Sequence, residues 1–210
     1  MPVRTLPRRL ALLYVGLVVY GVGIALQVRA DVGLNPWDVL HQGLADRLGW
    51  QIGTVAIAVG VPIFLAWFPL SMRPGIGTVS NLLGLGTVAN VALDVIPEVH
   101  GTALRWLVFA VSVLLFAAGV SLYLAAGLGP GPRDGVMTGI HRRFGWSIRA
   151  VRTVMELVVL GCGWALGGGV GLGTAIHALS IGPLVQLGLT ALGEDTHERT
   201  HRDELDALAV

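Results

Sequence analysis

The sequence predicts an all-α polytopic membrane protein, with about six long transmembrane helices and two short half-membrane or amphipathic helices, in two tandem repeats. Three observations carry that prediction. First, 54% of the 210 residues are hydrophobic and 13% are charged, with a mean hydropathy of +0.73. A soluble domain carries about 25% charged residues. Second, apolar stretches long enough to cross a bilayer recur along the chain. Third, the chain matches itself at a shift of 96 residues.

The N-terminal MPVRTLPRRL precedes an apolar run from Leu10 to Val28. That run is too long for a signal-peptide core, and no clean small-x-small cleavage site follows it, so it reads as the first span. Further spans are predicted at Ile52–Leu70, Ile76–Ile96, Leu104–Ala126, Ile148–Leu166 and Leu172–Leu192. Two more segments, Pro36–Leu48 (PWDVLHQGLADRL) and Pro132–Phe144 (PRDGVMTGIHRRF), are helix-like but short and polar. Each opens on a proline suited to a first helical position. Thirteen residues at 1.5 Å each cover about 20 Å, less than the hydrocarbon core. Residues 1–192 are read as a single membrane domain and 193–210 (GEDTHERTHRDELDALAV) as a charged tail.

At a shift of 96, GLNPWDVLHQGLADRLGWQI aligns without a gap on GPGPRDGVMTGIHRRFGWSI. Identities include Gly33/Gly129, Pro36/Pro132, Asp38/Asp134, Arg47/Arg143 and Trp50/Trp146, and the same shift pairs Arg9 with Arg105. Gly75, Gly77 and Thr78 pair with Gly171, Gly173 and Thr174. The repeats span roughly 8–103 and 104–199. If the short segments do not cross, each repeat has three crossings and the second is inverted; if they cross, the repeats are parallel. Arginine counting gives eleven inside and three outside in either case, with both termini cytoplasmic. Segment length and polarity favour inversion.

Composition excludes several functions. Net charge is +1, with no basic surface for nucleic acid. The single cysteine, Cys162, lies in an apolar run, permits no disulfide, and reads as a small buried core residue. No Walker, HExxH, Rossmann or nucleophile–His–Asp pattern occurs, so no enzyme, metal or cofactor is expected. Pumping would need an ion gradient or a separate energising subunit.

Ionisable groups inside a membrane cost a few kcal/mol on insertion scales and call for a role. Asp38 and Asp134 open the short helices, where a carboxylate can cap free backbone N–H groups, or can serve as a cation or proton ligand facing a pathway between the halves. His41 and Gln42 share a face with Asp38. Glu156 stands mid-way along an apolar run, with Arg152 one turn earlier and Gly60 as its repeat partner. It reads either as half of a structural ion pair or as a substrate- or proton-binding carboxylate. His177 and Gln186 match Asn81 and Asn90, and either line a cavity or bridge helices. The glycine turns RPGIGT (73–78) and GVGLGT (169–174) offer N–H groups to an anion, or simply permit close packing.

GLNPWDVLHQGLADRLGWQIGT, RPGIGTVSN, GLGPGPRDGVMTGI and GVGLGTAIHALSIGPLVQ together resemble the YczE/YyaS/YitT family of bacterial integral membrane proteins, the YczE-like branch in particular, over about residues 10–192. The resemblance implies a location in the bacterial cytoplasmic membrane and a fold, and it transfers no catalytic residue. The Pro-x-Asp and GxGT turns are its hallmarks here. Two functions remain open. One is a small-molecule or ion transporter, or a substrate-binding membrane subunit. The other is a non-transporting scaffold or regulator of a partner protein in the bilayer.

Overall fold

The computed structural model describes residues 5–194, so the expected tail beyond residue 194 lies outside the described residues. The described residues form eight helices and no strand: α1 (Leu6–Ala30), α2 (Pro36–Leu48), α3 (Ile52–Leu65), α4 (Ile76–Val95), α5 (Thr102–Ala125), α6 (Pro132–Phe144), α7 (Ile148–Ala165) and α8 (Leu172–Ala191). Each of the last four helices starts 96 residues after its counterpart among the first four.

The short helices have the predicted bounds because both ends carry stop signals. Asn35 caps α2, its side-chain oxygen accepting from the Trp37 and Asp38 N–H groups at 3.1 Å. Pro36 and Pro132 occupy the first helical turns. Gly49 and Gly145 end the two helices in the left-handed region, each donating its N–H back to the last turn, Gly49 to Ala45 and Gly145 to His141.

Four helices, α1, α4, α5 and α8, are long and apolar enough to cross a membrane, and α2 with α3 form a bent pair that could supply a fifth span. The six long spans expected from the sequence are therefore not confirmed among the described residues. Helix α3 stops at Leu65, just past Pro62, and a turn carries the buried Trp67. Its counterpart α7 has Val158 in place of Pro62 and runs on to Ala165, but it carries Arg149, Arg152 and Glu156.

The central seam is α1 against α5. Gly16 meets Gly119 and Tyr123, Gly23 meets Ser112 and Phe116, and Ala30 clusters with Phe109 and Val113. Residue numbers rise on one helix as they fall on the other, so α1 and α5 are antiparallel. Small residues let the two backbones touch, the habit of membrane helix pairs. Helix α4 runs parallel to α1, Gly21 lying against Leu85 and Val88 and Arg29 reaching the Leu93 carbonyl. Helix α8 runs parallel to α5, Gly173 near Phe109 and Gly188 near Ser121. Helices 96 residues apart thus point in opposite directions, and α1 begins on the side where α8 ends.

The loops of each half lock onto the other. The Gly77 N–H donates to the Leu128 carbonyl at 2.8 Å, and the Gly173 N–H to the Val32 carbonyl at 2.9 Å. Gly129 and Gly33 lie next to these junctions with φ of +119° and +128°, and a Cβ there would strike Thr78 and Thr174. Both positions need glycine for conformation and for space. Arg9 donates to the Ala126 carbonyl at the end of α5, and Arg105 to the Asp31 carboxylate at the end of α1. Arg47 and Arg143 reach the carbonyls of Leu166 and Pro69 in the same reciprocal manner.

Cys162 is exposed, contrary to the expectation of a buried residue. Helix α7 packs chiefly on α2 and α6, which leaves much of its circumference uncovered.

Candidate functional site

A cavity of about 450 Å³ lies between the two halves. Its polar lining includes Tyr20, Asn35, Trp37, His41, Asn81 and Tyr123, together with Arg133, Asp134, Arg152, Glu156, His177 and Gln186. Leu85, Phe116, Ile181 and Val185 supply apolar wall. Two of its contacts join residues 96 apart. The Tyr20 and Phe116 rings meet edge to face at 4.3 Å, and the Arg133 guanidinium stacks 4.1 Å from the Trp37 ring centre. The first turns of α2 and α6 therefore meet in the middle of the molecule.

The paired aspartates have separate fates. Asp38 is 3% exposed and closed off, accepting from the Asn35 amide and, at 3.0 Å, from His41 Nδ1. At the matching positions the second half has Gly131 and Met137 in place of Asn35 and His41. Asp134 has consequently lost both partners. It is open to the cavity, with the Gly131 N–H and the Tyr123 hydroxyl against its carboxylate. Neither aspartate is the cap residue itself: the caps are Asn35 and Gly131, and each carboxylate sits three positions later.

Glu156 and Arg152 form an ion pair of 3.0 Å, one turn apart, and both line the cavity while remaining partly exposed. Their surroundings explain the opening. In the first half, Gly53, Ala56 and Gly60 make a smooth stripe on α3. Gly53 abuts Gly86, Gly60 abuts Leu82, and the Asn90 side chain accepts from the Gly53 N–H at 2.8 Å. The matching stripe on α7 reads Arg149, Arg152 and Glu156. Helix α7 does not pack on α8 as α3 packs on α4, and Gly182, the counterpart of Gly86, faces open space.

His177 is buried. Its Nδ1 accepts from the Gln27 amide at 3.0 Å, and its ring lies edge-on to Phe116, so one face of the histidine is structural while the residue also borders the cavity. Asn81 borders it from α4. Pro36 and Pro132 line it through the two helix starts. The GxGT turns do not. Gly75 and Gly171 donate to Thr78 and Thr174, Thr78 donates to the Pro130 carbonyl, and Gly77 and Gly173 are taken by the opposite half. Their N–H groups are occupied, which favours the packing reading over the anion-binding one. Gln42 lies apart from the cavity, accepting from the Gly169 N–H.

Sequence reasoning missed Arg133, Trp37, Tyr20 and Tyr123. The signal was in the repeat: Trp37/Arg133 and Tyr20/Phe116 are matched positions that change chemical type at a shift of 96. Among the described residues no group of three or more His, Cys, Asp or Glu could hold a metal ion.

Residues 7–189 match the family described as "Family of unknown function (DUF6198)". An uncharacterised protein of Haemophilus influenzae is 35% identical over 190 residues, covering 90% of this chain and 87% of that protein. The uncharacterised membrane protein YczE of Bacillus subtilis is 32% identical, covering 84% and 83%. YyaS of the same organism is 22% identical over 182 residues. No solved structure matches the chain. An all-helical fold with several apolar helices, a family match over residues 7–189 and a 32% identical relative named as a membrane protein lead to one statement: the chain belongs to the family of unknown function DUF6198 and is a YczE-like membrane protein.

Proposed function

We propose that this protein is a small-molecule or ion transporter, or the substrate-binding membrane subunit of one, built from two inverted repeats. The cavity between the halves carries the reading. It has the size of small-molecule sites, about 300–1,000 Å³, and it opens where the first turns of two half-length helices meet. Transporters built from inverted repeats place their substrates at that kind of junction. The antiparallel α1–α5 seam and the reciprocal arginine contacts support the repeat assignment. In this reading the arginine-rich side, with both chain ends, faces the cytoplasm across the bacterial inner membrane. Binding and passage are assigned, and no reaction.

The test is thermal unfolding of the detergent-purified chain against a library of small metabolites and ions. A compound at 100 times its dissociation constant adds about 2.7 kcal/mol. We expect at least one stabilising compound whose effect is lost in Glu156→Gln while the apo protein remains folded. A flat library with well-folded protein, joined by co-purification of a membrane partner, would instead favour the scaffold function.

A further inference from the structure

Resting on that reading, we infer that the cavity takes a zwitterion with an apolar body, of the class of an α-amino acid with a hydrophobic side chain. Four charged side chains line the cavity: Arg133, Asp134, Arg152 and Glu156. Arg152 and Glu156 neutralise each other at 3.0 Å. The other two are consecutive on α6, and neighbouring helix positions do not face each other. Arg133 stacks on the Trp37 ring, while Asp134 turns to Tyr123 and Gly131, with the Arg152 and Arg133 guanidiniums acting on it through space. Among the described residues neither makes an ion pair. The cavity therefore presents one guanidinium and one carboxylate, separately directed.

A ligand with a single charge satisfies one of these and, by displacing water from the cavity, leaves the other unpaired, which is costly. A zwitterion meets both, its carboxylate suited to the planar donors of Arg133 and its ammonium to Asp134. The sequence change that frees Asp134, glycine and methionine where Asn35 and His41 hold Asp38, is what gives the site its negative half. Leu85, Phe116, Ile181 and Val185 add apolar wall beside the neutral polar groups of Asn81, His177 and Gln186, and that apolar part suits a hydrocarbon or aromatic side group.

The experiment measures binding of L-leucine and L-phenylalanine to the purified full chain by ligand-dependent thermal unfolding. Each is compared with its deaminated acid (4-methylpentanoate, 3-phenylpropanoate) and its decarboxylated amine (3-methylbutylamine, phenethylamine). At least one amino acid should bind ten times or more tightly than both of its trimmed analogues. Arg133→Gln should erase the preference over the amine, and Asp134→Asn the preference over the acid. Arg133→Lys and Asp134→Glu, which keep the charges, should retain both preferences and show that the losses are not misfolding. A discrimination below tenfold, or neutral variants that bind the amino acid as wild type does, would overturn the inference. If an acid or an amine alone binds best, the zwitterion fails and the cavity reading stands. If all six probes are inert, the zwitterion fails and the wider library decides the cavity reading.

Discussion

Asp38 and Asp134 occupy the same position in two matching helices, yet one is held and the other is free. The Asn35–Asp38–His41 cluster is buried and hydrogen-bonded, so Asp38→Asn removes an ionised acceptor and turns an amide donor toward existing donors. Unfolding in detergent should show a loss of about 1–3 kcal/mol. Asp134→Asn, in the open cavity, should leave apo stability within about 0.5 kcal/mol of wild type while changing ligand binding. Equal losses at the two sites would mean that Asp134 is as structural as Asp38. At this scale the sequence was informative about local pairings along a helix and poor about what surrounds them. Spacing placed Asp38, His41 and the Arg152–Glu156 pair correctly. It could not show that Asn35 was the cap, nor that Cys162 lay on an uncovered face, because both depend on what packs against the helix.

Helices α3 and α7 differ in what their inner stripes allow. The stripe Gly53, Ala56 and Gly60 seats α3 on α4, whereas Arg149, Arg152 and Glu156 keep α7 from seating on α8. A Cβ on Gly86 would stand 2.3 Å from the Gly53 carbonyl, while Gly182 has nothing within 4 Å. Gly86→Ala should therefore destabilise the protein by about 1–3 kcal/mol, and Gly182→Ala by less than about 0.5 kcal/mol, in paired unfolding measurements. Similar costs would contradict the open α7–α8 face. Most element bounds were legible in the sequence, since the proline and glycine signals of α2 and α6 are local. The third helices were not. An apolar run reports composition, but Pro62 and the Trp67 turn shorten α3, and three charges set α7 apart from an ordinary span.

At the scale of the whole molecule the two halves interlock head to tail. Arg47 closes the end of α7 at the Leu166 carbonyl, and Arg143, 96 residues on, reaches the Pro69 carbonyl in the turn after α3. The shift itself could be read from residue identities, but the direction of the second half could not, because either topology gives the same arginine count. It follows from the contacts of Gly16 and Gly23 across the seam. In a Cys162→Ser background, Leu48→Cys should react with an impermeant maleimide in intact spheroplasts, and Phe144→Cys only after lysis. Labelling of both from one side would contradict the inverted arrangement.

Transport or binding in the cavity requires that water and small solutes enter the space between the halves. Ala178 and Leu179 are neighbours on α8: Ala178 lines the cavity, whereas Leu179 lies outside it and is 80% exposed. The most direct measurement is the rate at which a small water-soluble methanethiosulfonate modifies Ala178→Cys and Leu179→Cys in Cys162→Ser protein reconstituted into liposomes. Ala178→Cys should be modified rapidly, and Leu179→Cys, on the outer face, at least tenfold more slowly. Equal rates, or a protected Ala178→Cys beside a reactive Leu179→Cys, would contradict that entry.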